Sequence, residues 1–364
     1  MLLASMQARQ IHQVVVTASP GDAITNAAFE TRTLLRRDGA ASDIYARFID
    51  PTLAGEVLPL GSFPSGRPDG VILYHASIGQ SEVTRFLMER PERLVMLYHN
   101  MSPAAPFAPY DPGFAALLEQ GRRELDQLRD RVTLPLAVSC FNASDLESHG
   151  YRDVKVAPLI VDPRRLLSVT PHAETVRWQA EVPGPVLLFV GQLLPHKQPH
   201  VLLQAFHALC TYLLPDAHLF LVGAPRLPRY KEVLQFFIEE LNLTHAGIIK
   251  SPVSEAELVA YYRRADAFVT LSEHEGFCVP LLEAMAFEKP ILARACGAIP
   301  GTLEDAGLMI GPDDGALVAA EAMCEILSND PLRTALVERG RVRLRHFHPD
   351  NARAILLDHL STLA

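Results

Sequence analysis

The stretch Ser272-Glu-His-Glu-Gly-Phe-Cys-Val-Pro-Leu-Leu-Glu-Ala-Met-Ala-Phe-Glu-Lys-Pro290 follows an apolar run, Ala267-Phe-Val-Thr-Leu271, that reads as a buried strand. It turns at Gly276 and enters a short helix at Pro280. Proline suits a first helical position, where its missing N–H has no partner to lose. Two carboxylates flank the turn, Glu275 before it and Glu283 inside the helix, with the spacing Glu-x7-Glu. On one continuous helix they would stand ~12 Å apart; with a loop between them they can converge on one ligand. The N–H groups of Gly276, Phe277, Cys278 and Val279 can point the same way, because glycine lets backbone approach a ligand and a helix N-terminus attracts phosphate. The turn therefore offers donors for a diphosphate and two acceptors for hydroxyls, which suits a nucleotide sugar. Most glutamates are solvated, and a paired acid and base for glycoside hydrolysis is a second alternative. Neither accounts for the glycine turn and helix start between the two residues.

Working outward, the chain has 364 residues, 49% hydrophobic and 21% charged, with a formal net charge of -9. That length suits two domains with sizeable cores. The acidic sum argues against general nucleic-acid binding, which needs a basic footprint. The five cysteines are scattered and odd in number, without metal-ligand spacing, and read as reduced thiols. No apolar run is long enough to span a bilayer, and Met1 to Gln10 lacks the layout of a signal peptide. The expectation is a cytoplasmic protein, soluble or peripheral at the inner face of a membrane.

Along the chain, strands are expected at Val14–Ala18, Val71–Tyr74, Leu94–Tyr98, Leu134–Ser139 and Val154–Ile160, alternating with helices. The first helix, ending near Arg37 ahead of Gly39, buries Ala27, Ala28, Thr31, Leu34 and Leu35. A proline-rich stretch then breaks the rhythm and reads as a linker. A second series follows, with strands at Val186–Val190, Ala217–Val222, Gly247–Ile249, Ala267–Leu271 and Pro290–Ala293, and helices to the end from Asp313. Continuous apolar strands alternating with helices predict parallel sheets covered on both faces. The expected division is 1–165 as a Rossmann-like acceptor-side domain, 166–185 as linker, 186–348 as a Rossmann-like donor domain, and 349–364 as a helix crossing back to the first domain. The default site is a cleft between the halves, outside the strand C-termini.

Other candidates are weighed against ordinary roles. Gly191-Gln-Leu-Leu-Pro-His-Lys197 follows the first strand of the second half. It matches neither a Walker loop nor a dinucleotide fingerprint, and alone Lys197 reads as a solvated lysine; beside the Glu275–Glu283 turn it becomes a phosphate ligand. His75 and His99 each end an apolar strand, and the polar turn Asn100-Met-Ser-Pro103 makes His99 the better ligand candidate. A metal cluster of His99, His196 and His274 has no supporting spacing. Gly297-Ala-Ile-Pro-Gly301 is evenly a tight turn or a loop against the ligand. Arg32, Arg36 and Arg37 form a basic side on the first helix, which leaves a membrane-surface role as a minor reading.

Together, Phe189-Val-Gly-Gln-Leu with Lys197, Ser272 to Met285, and Glu304-Asp-Ala-Gly-Leu followed by Pro312-Asp-Asp resemble family 4 glycosyltransferases, retaining enzymes of the GT-B fold. The likeness covers about 185 to 345. It extends more loosely into the first half through Leu97-Tyr-His-Asn-Met-Ser-Pro103, Pro109-Tyr-Asp-Pro112 and Val138-Ser-Cys-Phe-Asn142. It implies an α/β fold of two facing Rossmann-like domains with parallel sheets. It further implies Glu275 on the donor sugar, Glu283 on ribose hydroxyls, Gly276 to Val279 on sugar and phosphate, Lys197 on the diphosphate beside Gly191 and Gln192, and His99 on the transferred hexose. Gly21 and Asp22 sit at the place of an N-terminal glycine loop, and Val253 frames the base through its backbone. Three positions depart from the pattern: Gln192 replaces an arginine, Asp22 a second glycine, and Gly301 a glutamate.

The resemblance thus implies metal-independent, retaining transfer of a hexosyl group from a nucleoside-diphosphate sugar, UDP- or GDP-linked, to a hydroxyl of a sugar or lipid-linked saccharide, in bacterial polysaccharide or glycolipid assembly. No separate cofactor is expected and the site has no Asp-x-Asp; His99, Glu275 and Lys197 are the expected catalytic residues. A GT-B nucleotide-sugar epimerase and a non-catalytic nucleotide-sugar binder are the alternatives.

Overall fold

The computed structural model describes residues 10–243, 247–250 and 253–363. Residues 1–9, read above for a targeting signal, lie outside them. The chain forms two compact units. The first takes the chain up to Ala104, then Gly113–Val161, and again from His348 onward; the second takes Ala105–Pro112 and Asp162–Phe347.

In the first unit the order is β1 (Ile11–Ala18), α1 (Ala23–Arg37), β2 (Ile44–Ile49), β3 (Leu58–Pro59), β4 (Val71–Ala76), α2 (Ser81–Glu89), β5 (Arg93–Tyr98), α3 (Pro112–Leu128), β6 (Val132–Ala137), α4 (Cys140–Ser148) and β7 (Lys155–Val156). Among the described residues these strands form one parallel sheet in the order β3-β2-β1-β4-β5-β6-β7. The all-apolar reading of β4 and β5 follows from burial on both faces: β4 is buried throughout, and β5 everywhere but at Arg93. The face of α1 expected to be buried is buried, with Thr25 added to it. The sequence pattern does not predict β2 and β3. β2 becomes exposed toward its end and β3 has two residues, so neither carries a sustained apolar signal.

The second unit runs α5 (Ala173–Ala180), β8 (Val186–Val190), α6 (Pro199–Tyr212), β9 (His218–Val222), α7 (Pro228–Glu240), β10 (Gly247–Lys250), α8 (Glu255–Arg264), β11 (Ala267–Thr270), α9 (Val279–Ala286), β12 (Ile291–Arg294), α10 (Ile299–Leu303), β13 (Leu308–Ile310), α11 (Ala316–Ser328) and α12 (Asp330–Leu344). Its described strands form a parallel sheet in the order β10-β9-β8-β11-β12-β13. The last helix, α13 (Pro349–Ser361), lies within the residues of the first unit.

The unit boundaries differ from those expected. Residues 105–112 and 162–165 group with the second unit, and 166–185 is no free spacer. It begins within a 3-10 turn at Pro163–Ser168 and continues through α5. Arg264 fastens it by donating to the carbonyls of Val182 and Gly184, each at 2.9 Å.

Candidate functional site

In the second sheet the chain steps outward from β8 through β9 to β10, then restarts on the other side of β8 with β11 and continues to β13. Ligand crevices in such sheets open at that reversal, outside the C-terminal ends of the flanking strands. Those ends carry Gly191, after β8, and the Glu275 loop, after β11.

The first loop is docked on the end of β9. Gly191 N–H donates to the Val222 carbonyl and Leu193 N–H to the Ala224 carbonyl, both at 3.0 Å. A Cβ on Gly223 would lie 1.6 Å from the Gly191 carbonyl oxygen, so this crossing admits only glycine. The loop ends in a 3-10 turn, Pro195–Lys197, whose His196 carbonyl accepts from Glu273 N–H at 2.9 Å. That bond joins the two loops. Across them Lys197 Nζ donates to Glu275 Oε2 at 2.6 Å, and Glu275 is only 6% exposed. Burial acts to push the Lys197 ammonium down, but Glu275, with help from Cys278, holds it above its ordinary value. The pair is thus a charge-assisted hydrogen bond, ammonium to carboxylate. Lys197 and Glu275, assigned to separate parts of the ligand by the sequence, are in direct contact.

Helix α9 starts at Val279, one residue earlier than expected, with Pro280 second. Its N-cap, Cys278, has φ +67° and supplies no side-chain cap. Pro280 has no N–H to offer, and Leu281 N–H donates to the Cys278 carbonyl at 3.1 Å. The Cys278 thiol is buried and bonded to Glu275; burial first, then the carboxylate, push it well above the usual thiol range. Further along α9, Glu283 Oε2 accepts from Tyr262 O–H at 2.7 Å. Burial raises the Glu283 carboxyl above its ordinary value, only partly offset by the Tyr262 hydrogen bond and the charge of Arg165. Arg165 itself holds Glu255 with two bonds, of 2.9 and 2.6 Å. Gln192 is half-buried in the first loop, and Val253 half-buried just before Ser254, the N-cap of α8.

The loop Gly297–Gly301 buttresses the site from behind. Ala298 N–H donates to the Glu275 carbonyl at 2.8 Å, and Gly297, at φ +58°, lies directly on the Glu275 backbone. Thr302 Oγ1 also donates to the Phe277 carbonyl at 3.0 Å.

In the first unit, Gly21 has φ +72° in the turn after β1. Asp22 caps α1: its Oδ2 accepts from Ile24 N–H, Thr25 N–H and the Thr25 hydroxyl at 2.9–3.1 Å. The chain's own carboxylate therefore occupies that helix N-terminus. His99 follows β5 and bonds His75 of β4. The sequence signal for that pair is two histidines ending consecutive apolar strands, weighed separately above. Of the basic side of α1, Arg32 is paired with Glu56 and Arg36 with Asp43, each at 2.6 Å. Among the described residues no group of three or more His, Cys, Asp or Glu side chains is placed to hold a metal ion, and no helix is long and apolar enough to cross a membrane.

Residues 174–343, which hold nearly all of this second-unit geometry, match the family of glycosyl transferases group 1. Those residues are similar to a group 1 glycosyl transferase domain. A D-inositol 3-phosphate glycosyltransferase of Corynebacterium urealyticum is 30% identical to it over 227 residues, 58% of the chain and 52% of that protein. A protein of the same name from Kineococcus radiotolerans is 28% identical over 244 residues, 62% of this chain and 56% of that one. The chain thus spans about half the length of the curated relatives it matches. Among solved structures, Anabaena HepE in complex with UDP-glucose superposes with a TM-score of 0.75 at 17% identity, covering 97% of this chain and 99% of that one. Sucrose-phosphate synthase from Thermosynechococcus elongatus gives 0.72 at 18% identity, covering 97% and 98%. Two parallel α/β units of this kind are the GT-B fold.

Proposed function

We propose that this chain is a hexosyltransferase that moves a sugar, with retention, from a nucleoside diphosphate to a hydroxyl of a saccharide or lipid-linked saccharide. In this reading Lys197 and the N–H groups of Gly276 to Val279 meet the charge of the departing diphosphate, an electrostatic form of catalysis that asks for no metal. Glu275 orients the sugar and Glu283 the ribose. Gly191 and Gln192 line the diphosphate, Val253 frames the base, Gly21 stands beside donor phosphate or acceptor, and His99 meets the transferred sugar. The setting is cytoplasmic assembly of a polysaccharide or glycolipid, with the N-terminal unit touching the membrane face.

The observation that carries the reading is the Lys197–Glu275 bond of 2.6 Å at the reversal of the second sheet, with the uncapped start of α9 immediately after it. A cation, a carboxylate and the backbone of a helix start at one strand-end crevice suit a sugar joined to a diphosphate. The relatives named for an inositol phosphate glycosyltransferase and the HepE structure holding UDP-glucose support the same class.

Two measurements test it. Thermal-shift screening against UDP, GDP and ADP should give stabilisation by one of them, since a ligand of the folded state raises apparent stability. Incubation with the matching nucleotide sugar and no acceptor should release nucleoside diphosphate slowly. Glu275→Gln should lower that rate at least about a hundredfold, the scale on which single catalytic contacts act, with the fold intact. Unchanged turnover in Glu275→Gln would overturn the role of Glu275. Binding without release for any donor would instead favour a non-catalytic binder, a reading to which uncharged Gln192 contributes.

A further inference from the structure

Ala105–Pro112 comes from the first half of the chain but groups with the second unit, and the chain returns to the first at Gly113. The segment is a compact turn: the N–H groups of Tyr110 and Asp111 both donate to the Phe107 carbonyl, at 2.9 Å. Phe107 is its one buried residue, 1% exposed, and Tyr110 is half-buried. The Phe107 ring lies against His196, with centroids 5.2 Å apart and planes tilted by 39°. The Tyr110 ring meets Tyr230 of α7 edge to face at 4.9 Å. Tyr230 is fully buried and shares a hydrogen bond of 2.7 Å with His200 Nδ1, in the first turn of α6.

His196 and His200 stand on either side of Lys197, and the backbone between them is strained. Gln198, the N-cap of α6, has φ +54° and makes no side-chain capping bond. A non-glycine residue in the left-handed region persists only where its surroundings over-determine it. The His196 side chain is held by packing. It is 6% exposed, and its buried Nδ1 has no hydrogen-bond partner. Burial first, then Lys197 and His274, push it well below its ordinary value, so the ring is neutral and no ion pair holds it either. The ring it packs on is Phe107.

We infer that Ala105–Pro112 braces the turn that carries Lys197: Phe107, through His196, and Tyr110, through Tyr230 and His200, are positioning residues that keep the Lys197 ammonium on Glu275. Without the Phe107 ring, His196 would border a void, and a side chain beside a void loses its contacts on that side. The strained turn then has room to relax, and Lys197 moves with it. The pair of 2.6 Å between Lys197 and Glu275 is the contact that loosens. This gives a physical role to Pro109-Tyr-Asp-Pro112, which in the sequence carried only a loose resemblance. The consequence for a ligand rests on the reading that Lys197 meets the diphosphate; the brace itself does not.

The test has two arms on the full chain. The first reads Lys197 itself. Brief treatment with acetic anhydride, resolved by mass spectrometry, compares Lys197 with Lys231 and Lys289 of the same unit. An ammonium held by a carboxylate reacts slowly. Phe107→Ala and Tyr110→Ala should speed acetylation of Lys197 about tenfold relative to the other two, the scale of coupling between residues in contact. Phe107→Leu keeps most of the packing and should stay near the parent rate. Should Phe107→Ala fail to fold, Tyr110→Ala, at the half-buried position, carries the comparison. Unchanged acetylation of Lys197 overturns the brace, and so does an equal rise at all three lysines, which marks general loosening. The second arm measures affinity for whichever of UDP, GDP or ADP binds, against its monophosphate. Loss of the brace should narrow the preference for the diphosphate about tenfold, and should narrow it no further in a Lys197→Ala background. Equal weakening of both nucleotides overturns the positioning role. A diphosphate preference that survives Lys197→Ala removes Lys197 from the diphosphate, and the brace is then decided by the acetylation rates alone.

Discussion

Gly297 lies directly on the backbone of Glu275. At φ +58° a Cβ there would lie 2.5 Å from the Glu275 carbonyl oxygen and 2.7 Å from its nitrogen. Gly301, four residues on, has open space around the same position. The two glycines of one short loop therefore predict opposite outcomes. Gly297→Ala should cost about 1–3 kcal/mol, from the left-handed backbone and the forced shift of Glu275, and should depress donor hydrolysis as well. Gly301→Ala, inside α10, should be neutral or stabilise by about 0.5–1 kcal/mol. Urea unfolding with a hydrolysis assay decides; equal effects of the two changes would refute the buttress. From the sequence these glycines read alike, because spacing says nothing of which one meets a neighbouring backbone. The same limit hid the αL conformation of Cys278 and the bond between His75 and His99. Histidine burial also makes a residue-level prediction about pH. His75 is held down to about 3, with His99 and His196 also lowered by burial. Their unfolded forms take up protons near 6.5 and their folded forms do not. The stability they contribute is therefore complete above about 6.5 and lost as pH falls toward the folded values. Between pH 6.5 and 5.5 the contribution of these rings should fall with a slope approaching about 1.4 kcal/mol per pH unit for each proton they take up on unfolding. A flat profile over that unit would show these rings titrating normally.

At the scale of elements, the site is a consequence of where strands stop. The sequence revealed the long strands because β4, β5, β8 and β9 are near-continuous apolar runs, which parallel sheets require. It also placed the Glu275 loop and Lys197 after strands, where crevices form. It left β2, β3 and β13 unread, since short or half-exposed strands carry little periodic signal. It read 166–185 as linker because Pro171, Pro183 and Pro185 break the strand–helix rhythm. What ties that stretch down is tertiary: Arg264 on its carbonyls, and His172 N–H on the Ala256 carbonyl at 3.0 Å. One element-level crossing is testable. Gly223, just past β9, passes so near the Gly191 carbonyl that a methyl group would overlap it, at 1.6 Å. Gly223→Ala must move either β9 or the loop that carries Lys197. It should be more destabilising than Gly297→Ala, beyond about 3 kcal/mol, and should weaken nucleoside diphosphate binding through the displaced Lys197. A Gly223→Ala protein with native stability and binding would show that the loop can give way without cost.

At the scale of the molecule, the chain leaves the first unit twice, for Ala105–Pro112 and for Asp162–Phe347, and returns to it each time. The closing helix α13 buries Ala352, Leu356 and Leu360, with Leu363 beyond its end, among the residues of the first unit. Its polar side is also engaged: Arg93 donates to the Leu363 carbonyl, Arg353 pairs with Glu30 at 3.5 Å, and His359 Nε2 meets the Val156 carbonyl at 3.2 Å. Arg93 and Val156 lie on β5 and β7, so the helix is bound to the sheet of a unit whose strands all precede it, with the whole of Asp162–Phe347 in between. A chain stopped after Phe347 keeps every element of the second unit and removes only this helix. Each buried leucine stabilises by about 1.5–3 kcal/mol, so the first unit should lose several kcal/mol. Calorimetry of the shortened chain should show one transition moved down by roughly 10 °C or more, while a second transition and the affinity for the nucleoside diphosphate stay near those of the full chain. If instead both transitions fall together and nucleotide affinity is lost, the helix supports the second unit as well, and the assignment of α13 to the first unit alone is wrong.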